Sequence, residues 1–245
     1  EEYQRDIIFY HNTQRADIRW GGSQSGTVPY PCWGTFPFVY SHSVANSLIS
    51  QNNFQLLKTG DPDGGYYKPA MSDAPLRGYD GRHEWFWEPN DEDHIFPVDH
   101  LMKMYLGSVG RNSTLILGLT PNAEGLLPSL DSLRLAEFGE AIASRFSSPL
   151  AFLSDVVDRR CLVLELDSPA TVHDIVVQED LDFGERVRLF SVDVLVGGDW
   201  IRVFDGSVIG HKVIIPLDDS PEVSAVRLSV DDSLGSPHIR SFSVY

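Results

Sequence analysis

The texture of the sequence changes near residue 150, and no one repeating pattern can serve both sides of that change. Beyond Pro149 come short runs rich in β-branched and apolar residues, at 161–166, 170–178, 187–196, 200–204, 212–216, 225–230 and 239–244. Turn signals such as Gly197-Gly198-Asp199 and Asp218-Asp219-Ser220 separate them, and no helical spacing intervenes. Strands at such close intervals predict an antiparallel β-sandwich over 150–245. Residues 1–149 alternate differently. Asp6–Tyr10 reads as a buried parallel strand, and a long loop rich in Gly, Ser, Pro and aromatics runs from Arg19 to about Tyr40. Tyr66–Met71 reads as a second strand, leading into Ser72-Asp73 and a further loop through Pro89. Apolar residues at 98, 101, 102, 105 and 109 predict a helix stopped by Gly110, and Ser113–Leu119 a third strand. Leu135, Phe138, Ile142 and Phe146 mark a last helix, with Asp131 or Ser132 as the expected N-cap.

Strand, long loop and helix in alternation describe an α/β domain whose working loops follow its strands. A complete eightfold barrel takes about 250 residues, and the texture changes here after about 150. The expected fold class is therefore a partial (β/α)8-like barrel, its C-terminal half, over 1–149, followed by an all-β antiparallel sandwich.

Charge narrows the partners. The formal charge of -16 arises from 35 acidic against 19 basic residues spread along the chain, which repels phosphate backbones and anionic lipid headgroups. Neither nucleic acid nor a membrane is an expected partner, and a neutral substrate fits better. Cys32 and Cys161 lie far apart without a His or Cys at ligand spacing, so neither a disulfide framework nor a metal site is expected, and no cofactor is called for. No apolar run reaches the ~18 residues of a membrane span, and residues 1–20 lack a basic leader followed by an apolar stretch. The first residue is Glu, as in a processed chain, a proteolytic product or an excised fragment.

Several blocks, in order, resemble the α-L-fucosidases of glycoside hydrolase family 29. They are Asp17-Ile18-Arg19-Trp20-Gly21-Gly22 with Cys32-Trp33, Lys68-Pro69-Ala70-Met71-Ser72-Asp73, and Trp85-Phe86-Trp87. The most specific is Ser108-Val109-Gly110-Arg111-Asn112 through Leu115-Ile116-Leu117-Gly118 to Pro121–Pro128, similar to the family's last barrel strand and its turn. Gln178-Glu179-Asp180, Gly184-Glu185-Arg186-Val187, Trp200 and Ile209-Gly210-His211-Lys212 are similar to the family's C-terminal sandwich. The resemblance implies retaining hydrolysis of terminal α-L-fucose from glycans, a fucosylated glycan as substrate, and an exported protein, secreted or periplasmic. It also marks departures. The family's nucleophilic Asp would lie before residue 1, and the Glu that serves as acid/base in some relatives falls at Cys32. The Asn-Glu pair of the first block stands here as Ser23-Gln24. An upstream polypeptide is thus expected to supply the missing barrel half.

A retaining glycosidase uses two carboxyl groups about 5–5.5 Å apart, one attacking and one donating a proton. Glu84, between His83 and Trp85, is the candidate general acid/base, since an adjoining indole raises a carboxyl pKa by desolvation. The competing role is a loop carboxylate paired with Arg82 or a backbone amide. Trp85 and Trp87, and more weakly Trp20 and Trp33, are candidate faces for the methyl and C–H edges of a deoxy sugar, with core packing as the competitor. Asp73 either bonds a sugar hydroxyl or caps its turn, the cap being preferred. His42 and His83 are candidate hydroxyl partners. Arg19 and Arg111 are expected to tie loops, Cys32 to pack, Trp200 to be core, and the sequon Asn112-Ser113-Thr114 to go unused. Two alternatives stay open: a non-catalytic carbohydrate-binding protein, and an exo-glycosidase for another sugar.

Overall fold

A computed structural model describes residues 4, 6–10, 12–81, 85–217, 219 and 221–245. The first part of the chain holds β1 (Arg19–Trp20), β2 (Thr35–Phe36), α1 (His42–Ser50), α2 (Phe54–Thr59), β3 (Tyr66–Tyr67), β4 (Ala70–Pro75), α3 (Val98–Ser108), β5 (Ser113–Gly118) and α4 (Ser129–Phe146). β1, β4 and β5 form a parallel sheet in the order β1-β4-β5, and β2 pairs with β3 in a small antiparallel ribbon.

Register decides what each face of the parallel sheet carries. Trp20 pairs with Met71, Asp73 with Ile116 and Pro75 with Gly118, so these side chains share one face. The alternate residues point the other way. There Ala74, Leu115 and Leu117 pack with Leu101 and Met104 of α3 and Phe138 of α4, each fully buried aliphatic side chain contributing roughly 1.5–3 kcal/mol. Arg77, just beyond β4, is buried and grips the carboxylate of Asp131 in the first turn of α4 through two nitrogens, at 3.1 and 2.7 Å.

The second part is all strand: β6 (Ala151–Val157), β7 (Cys161–Thr171), β8 (Asp174–Glu179), β9 (Val187–Val196), β10 (Asp199–Gly206), β11 (Val213–Pro216), β12 (Glu222–Ser233) and β13 (His238–Val244). They make two antiparallel sheets, β10-β9-β12-β7 and β11-β8-β13-β6. The inward residues of both enter one core, with Leu162, Val192, Val226 and Leu228 from the first sheet and Ile175, Val177, Ile215 and Phe242 from the second. That shared core is the mark of a sandwich.

The structure corrects several expectations. Asp6–Tyr10 is not a strand: Phe9 donates its N–H to the Asp17 carboxylate and Ile8 is 68% exposed. An apolar run forms a strand only where neighbouring backbone takes up its hydrogen bonds. The last helix begins at Ser129 with Pro128 as N-cap, not at Asp131 or Ser132. Proline's fixed φ suits a helix entry, and Asp131 is spent on Arg77. Helices α1 and α2 and strand β6 went unread. α1 is capped by Ser41, whose side chain accepts from Val44 N at 3.3 Å, and contributes Ala45 and Leu48 to a small core with Phe36 and Tyr40. Trp200 is not core. On the outer face of edge strand β10 it is 37% exposed, with the Arg227 guanidinium 4.3 Å over its ring.

The two parts are tied by buried polar bonds as well as by contact. The backbone N–H of Gly34 donates to both carboxylate oxygens of Glu185 at 2.9 Å. The Asn112 amide donates to Glu185 Oε1 at 2.6 Å and to the Cys32 carbonyl at 3.0 Å, and accepts from His211 N at 2.7 Å. Arg145 of α4 grips the buried Asp174 of β8 at 2.6 and 2.8 Å.

Candidate functional site

The helices α3 and α4 lie on one face of the parallel sheet, and aromatic and acidic side chains gather on the other, toward the strands' carboxyl ends. Functional groups in open α/β sheets collect at that end because the loops leaving it are free to vary over a rigid base. Asp73 stands near the end of β4, and the indole N–H of Trp20, at the end of β1, donates to its carboxylate at 2.9 Å. The preferred cap role for Asp73 is therefore corrected. It sits inside a strand and holds Trp20, because register places the two residues on adjacent strands and one face. The Tyr40 hydroxyl accepts from Trp20 N at 3.2 Å. Tyr10 is drawn in as well: burial first, then the Asp73 carboxylate and Tyr40, push its phenol well above the usual range. A neutral phenol beside a carboxylate makes a paired donor and acceptor for a hydroxylated ligand.

The third wall is Trp85. A Cβ placed on Gly118 would come within 2.6 Å of Trp85 Cζ3 and 3.5 Å of Pro75 Cα. The indole of Trp85 thus lies against the bare backbone at the end of β5, where any side chain would displace it. Trp87 is half-buried and Phe86 is 83% exposed. Arg82, His83 and Glu84 lie outside the described residues.

The remaining sequence candidates do not join this cluster. Trp33 is buried, with Arg188 stacked 4.8 Å over its ring, so it presents no face to a sugar. His42 opens α1 and its ring meets Asn46 one turn on, at 3.0 Å. Arg19 ties loops as expected: its buried guanidinium donates to the carbonyls of Leu57 and Trp33. Cys32 is buried in packing, and burial raises its thiol pKa. Asn112 is buried with its amide fully engaged, which closes the sequon in the folded chain. Among the described residues no cluster of His, Cys, Asp or Glu could hold a metal ion, and no helix is long and apolar enough to cross a membrane.

Tyr10 and Tyr40 are absent from the candidates read off the sequence. Tyr10 closes what looked like a core strand and Tyr40 closes a loop, and neither carries a motif. A cleft of about 430 Å³ lies beyond the end of β4, lined by Gln24 and Ser25 after β1, Pro75, Tyr79, Phe96 and His100. The only sequence signal for it was Ser23-Gln24, as a departure from a motif.

No protein-family model matches the chain. A solved structure from Bacteroides thetaiotaomicron VPI-5482, of a protein provisionally named an α-L-fucosidase, superposes over 100% of this chain and 54% of its own, with TM-score 0.92 and 48% identity. A glycoside hydrolase 29 family member from an unknown rumen bacterium superposes over 97% of this chain and 42% of its own, with TM-score 0.82 and 25% identity. Over nearly its whole length this chain is similar to a member of glycoside hydrolase family 29. Among curated proteins, α-L-fucosidase 1 of Arabidopsis thaliana is 25% identical over 94% of this chain and 49% of its own length. The chain spans about half the length of the curated relatives it matches. That similarity runs from the parallel strands through the whole sandwich.

Proposed function

We propose that this chain forms one wall of the fucose site of a retaining exo-α-L-fucosidase and carries its C-terminal sandwich. The observation that carries the reading is the joining of Trp20, Asp73 and Trp85 on one face at the carboxyl ends of parallel strands. Two indoles give apolar surface for a deoxy sugar's methyl and C–H edges, while Asp73 and the neighbouring phenols offer hydroxyl partners. The names of the family 29 relatives supply the sugar.

In the same proposal β1, β4 and β5 are consecutive members of a (β/α)8-type barrel whose other strands come from polypeptide outside this chain, with residues 1–149 as the barrel part and 150–245 as the sandwich. The attacking Asp comes from those other strands, and Glu84 donates the proton. The helices on one face only, and Ile116 42% exposed on the other, support that reading, because parallel sheets are ordinarily covered on both faces. Export follows from the resemblance to the family, and a neutral fucosylated glycan suits a chain of charge -16.

The test is hydrolysis of an aryl α-L-fucoside against an aryl β-galactoside by a polypeptide that includes the upstream strands. Turnover of the fucoside alone is expected, and Trp85→Ala should raise KM about fivefold, the value of one aromatic contact of about 1 kcal/mol. Fucose binding without turnover would favour a carbohydrate-binding protein, and turnover of the galactoside would favour another exo-glycosidase.

A further inference from the structure

The outer face of the sheet β11-β8-β13-β6 carries a groove of about 450 Å³, remote from the Trp20–Asp73 cluster and bordered by Tyr105 and Phe146 of α3 and α4. Its volume lies in the range of pockets that hold small organic ligands. Lys212 lines it. The amine is half-buried, no carboxylate among the described residues comes within ion-pair distance, and burial alone lowers its pKa. In a chain of charge -16, a half-buried ammonium with no carboxylate paired to it is placed to take an anion from outside. Arg240 lines the same groove and spends one nitrogen on Asp180 at 3.4 Å, leaving other N–H donors of its five free to turn inward. The two cations act together on a third group, for beyond burial it is Lys212 and Arg240 that lower the pKa of His211. The rest of the lining is amphipathic: Phe152 is exposed, and Ser154 and Ser243 add hydroxyls. One carboxylate, that of Asp155, also lines the groove.

We propose that this groove binds an acidic sugar, its carboxylate held by Lys212 and Arg240 and its C–H face laid on Phe152. An ammonium and a guanidinium converging on one carboxylate form charge-assisted hydrogen bonds, about twice as strong as neutral ones. The aromatic ring and the serine hydroxyls match the alternation of C–H and O–H groups around a pyranose. Asp155 accepts from sugar hydroxyls and opposes a compact dianion, so the groove selects a singly charged sugar over a small inorganic ion. The inference stands apart from the fucosidase reading, since it concerns another face and is read by binding alone.

The experiment is calorimetric or chemical-shift titration of the chain with D-glucuronate, D-glucose and inorganic sulfate. Saturable glucuronate binding is expected, weakened about tenfold in Lys212→Met, one charge-assisted bond being worth about 1.4 kcal/mol, and more than tenfold for glucose, which lacks the carboxylate that both cations hold. Lys212→Arg should retain binding, and the melting temperatures of both variants check their folding. Arg240→Gln serves as the second variant should Lys212→Met fold poorly. Absent glucuronate binding, binding indifferent to both substitutions, or sulfate binding as tightly as glucuronate would each overturn the proposal.

Discussion

Asn112 joins three parts of the chain through one amide: the Cys32 carbonyl, the Glu185 carboxylate and the His211 N–H. Gly210 makes room for it, since a Cβ there would come within 2.3 Å of the Asn112 carboxamide. Asn112→Ala leaves the buried Glu185 carboxylate with the Gly34 N–H but strips it of its side-chain donor, and strands the Cys32 carbonyl and the His211 N–H, and should cost about 3 kcal/mol by denaturant unfolding. Close by, Glu179 accepts from Arg186 N, Val187 N and Gly210 N at 2.8–2.9 Å. Burial pushes its pKa up to about 7 despite those donors. Below its ordinary value of about 4.5 both the folded and the unfolded forms hold the proton. Between there and about 7 the unfolded chain has lost it while the folded chain keeps it, so stability falls as pH rises and levels off beyond. Measured against Glu179→Gln, which has no such proton, the wild type should lose stability from pH 5 to 7 and run parallel above 7.5. A wild type that gains on the variant over that window would show the carboxylate to be ionised in the fold.

Strand β5 illustrates how an element aims chemistry it does not perform. Its inward residues Leu115 and Leu117 anchor it to the helices, and at its end Gly118 leaves bare backbone for Trp85 to lie on. Gly118→Ala adds one methyl group at 2.6 Å from the indole. The expected outcome is a fold that melts within a few degrees of wild type, with Trp85 fluorescence shifted and fucoside KM raised about as much as in Trp85→Ala. A changed melting point with unaltered fluorescence would remove Trp85 from that surface. β5 and the helix after it were legible in the sequence, because a short apolar run and a 3.6-residue period persist whatever the neighbours are. The short β1 and β2 were not, and Tyr66–Met71 was read as one strand where the chain makes β3 and then β4, since two-residue strands exist only through partners distant in sequence.

At the scale of the molecule, the parallel sheet is covered by helices on one face, while the other bears Ile116 and the aromatic cluster. In the proposed barrel that face turns inward. A thiol at Ile116→Cys should react with a maleimide at the rate of an exposed cysteine in this chain, and at least about tenfold more slowly where upstream strands are present, burial of an apolar position being what closes a barrel interior. Equal rates in both would mean that this face stays open. Cys161 is exposed, so it must first be replaced.

By itself the sequence determined the two textures, the antiparallel strands of the second part, the helices α3 and α4, and the blocks that resemble family 29. Each of these rests on local periodicity or on residue order, which no long-range contact needs to complete. Only the tertiary structure decided that Asp73 holds Trp20, that Tyr10 and Tyr40 join them, that Trp33 is closed off beneath Arg188 and Trp200 left open, and that Asp131 grips Arg77 rather than capping a helix. Those outcomes depend on strand register and on partners far apart in sequence, as between Trp33 and Arg188. A side chain's spacing along the chain says which face it takes, but not what waits on that face.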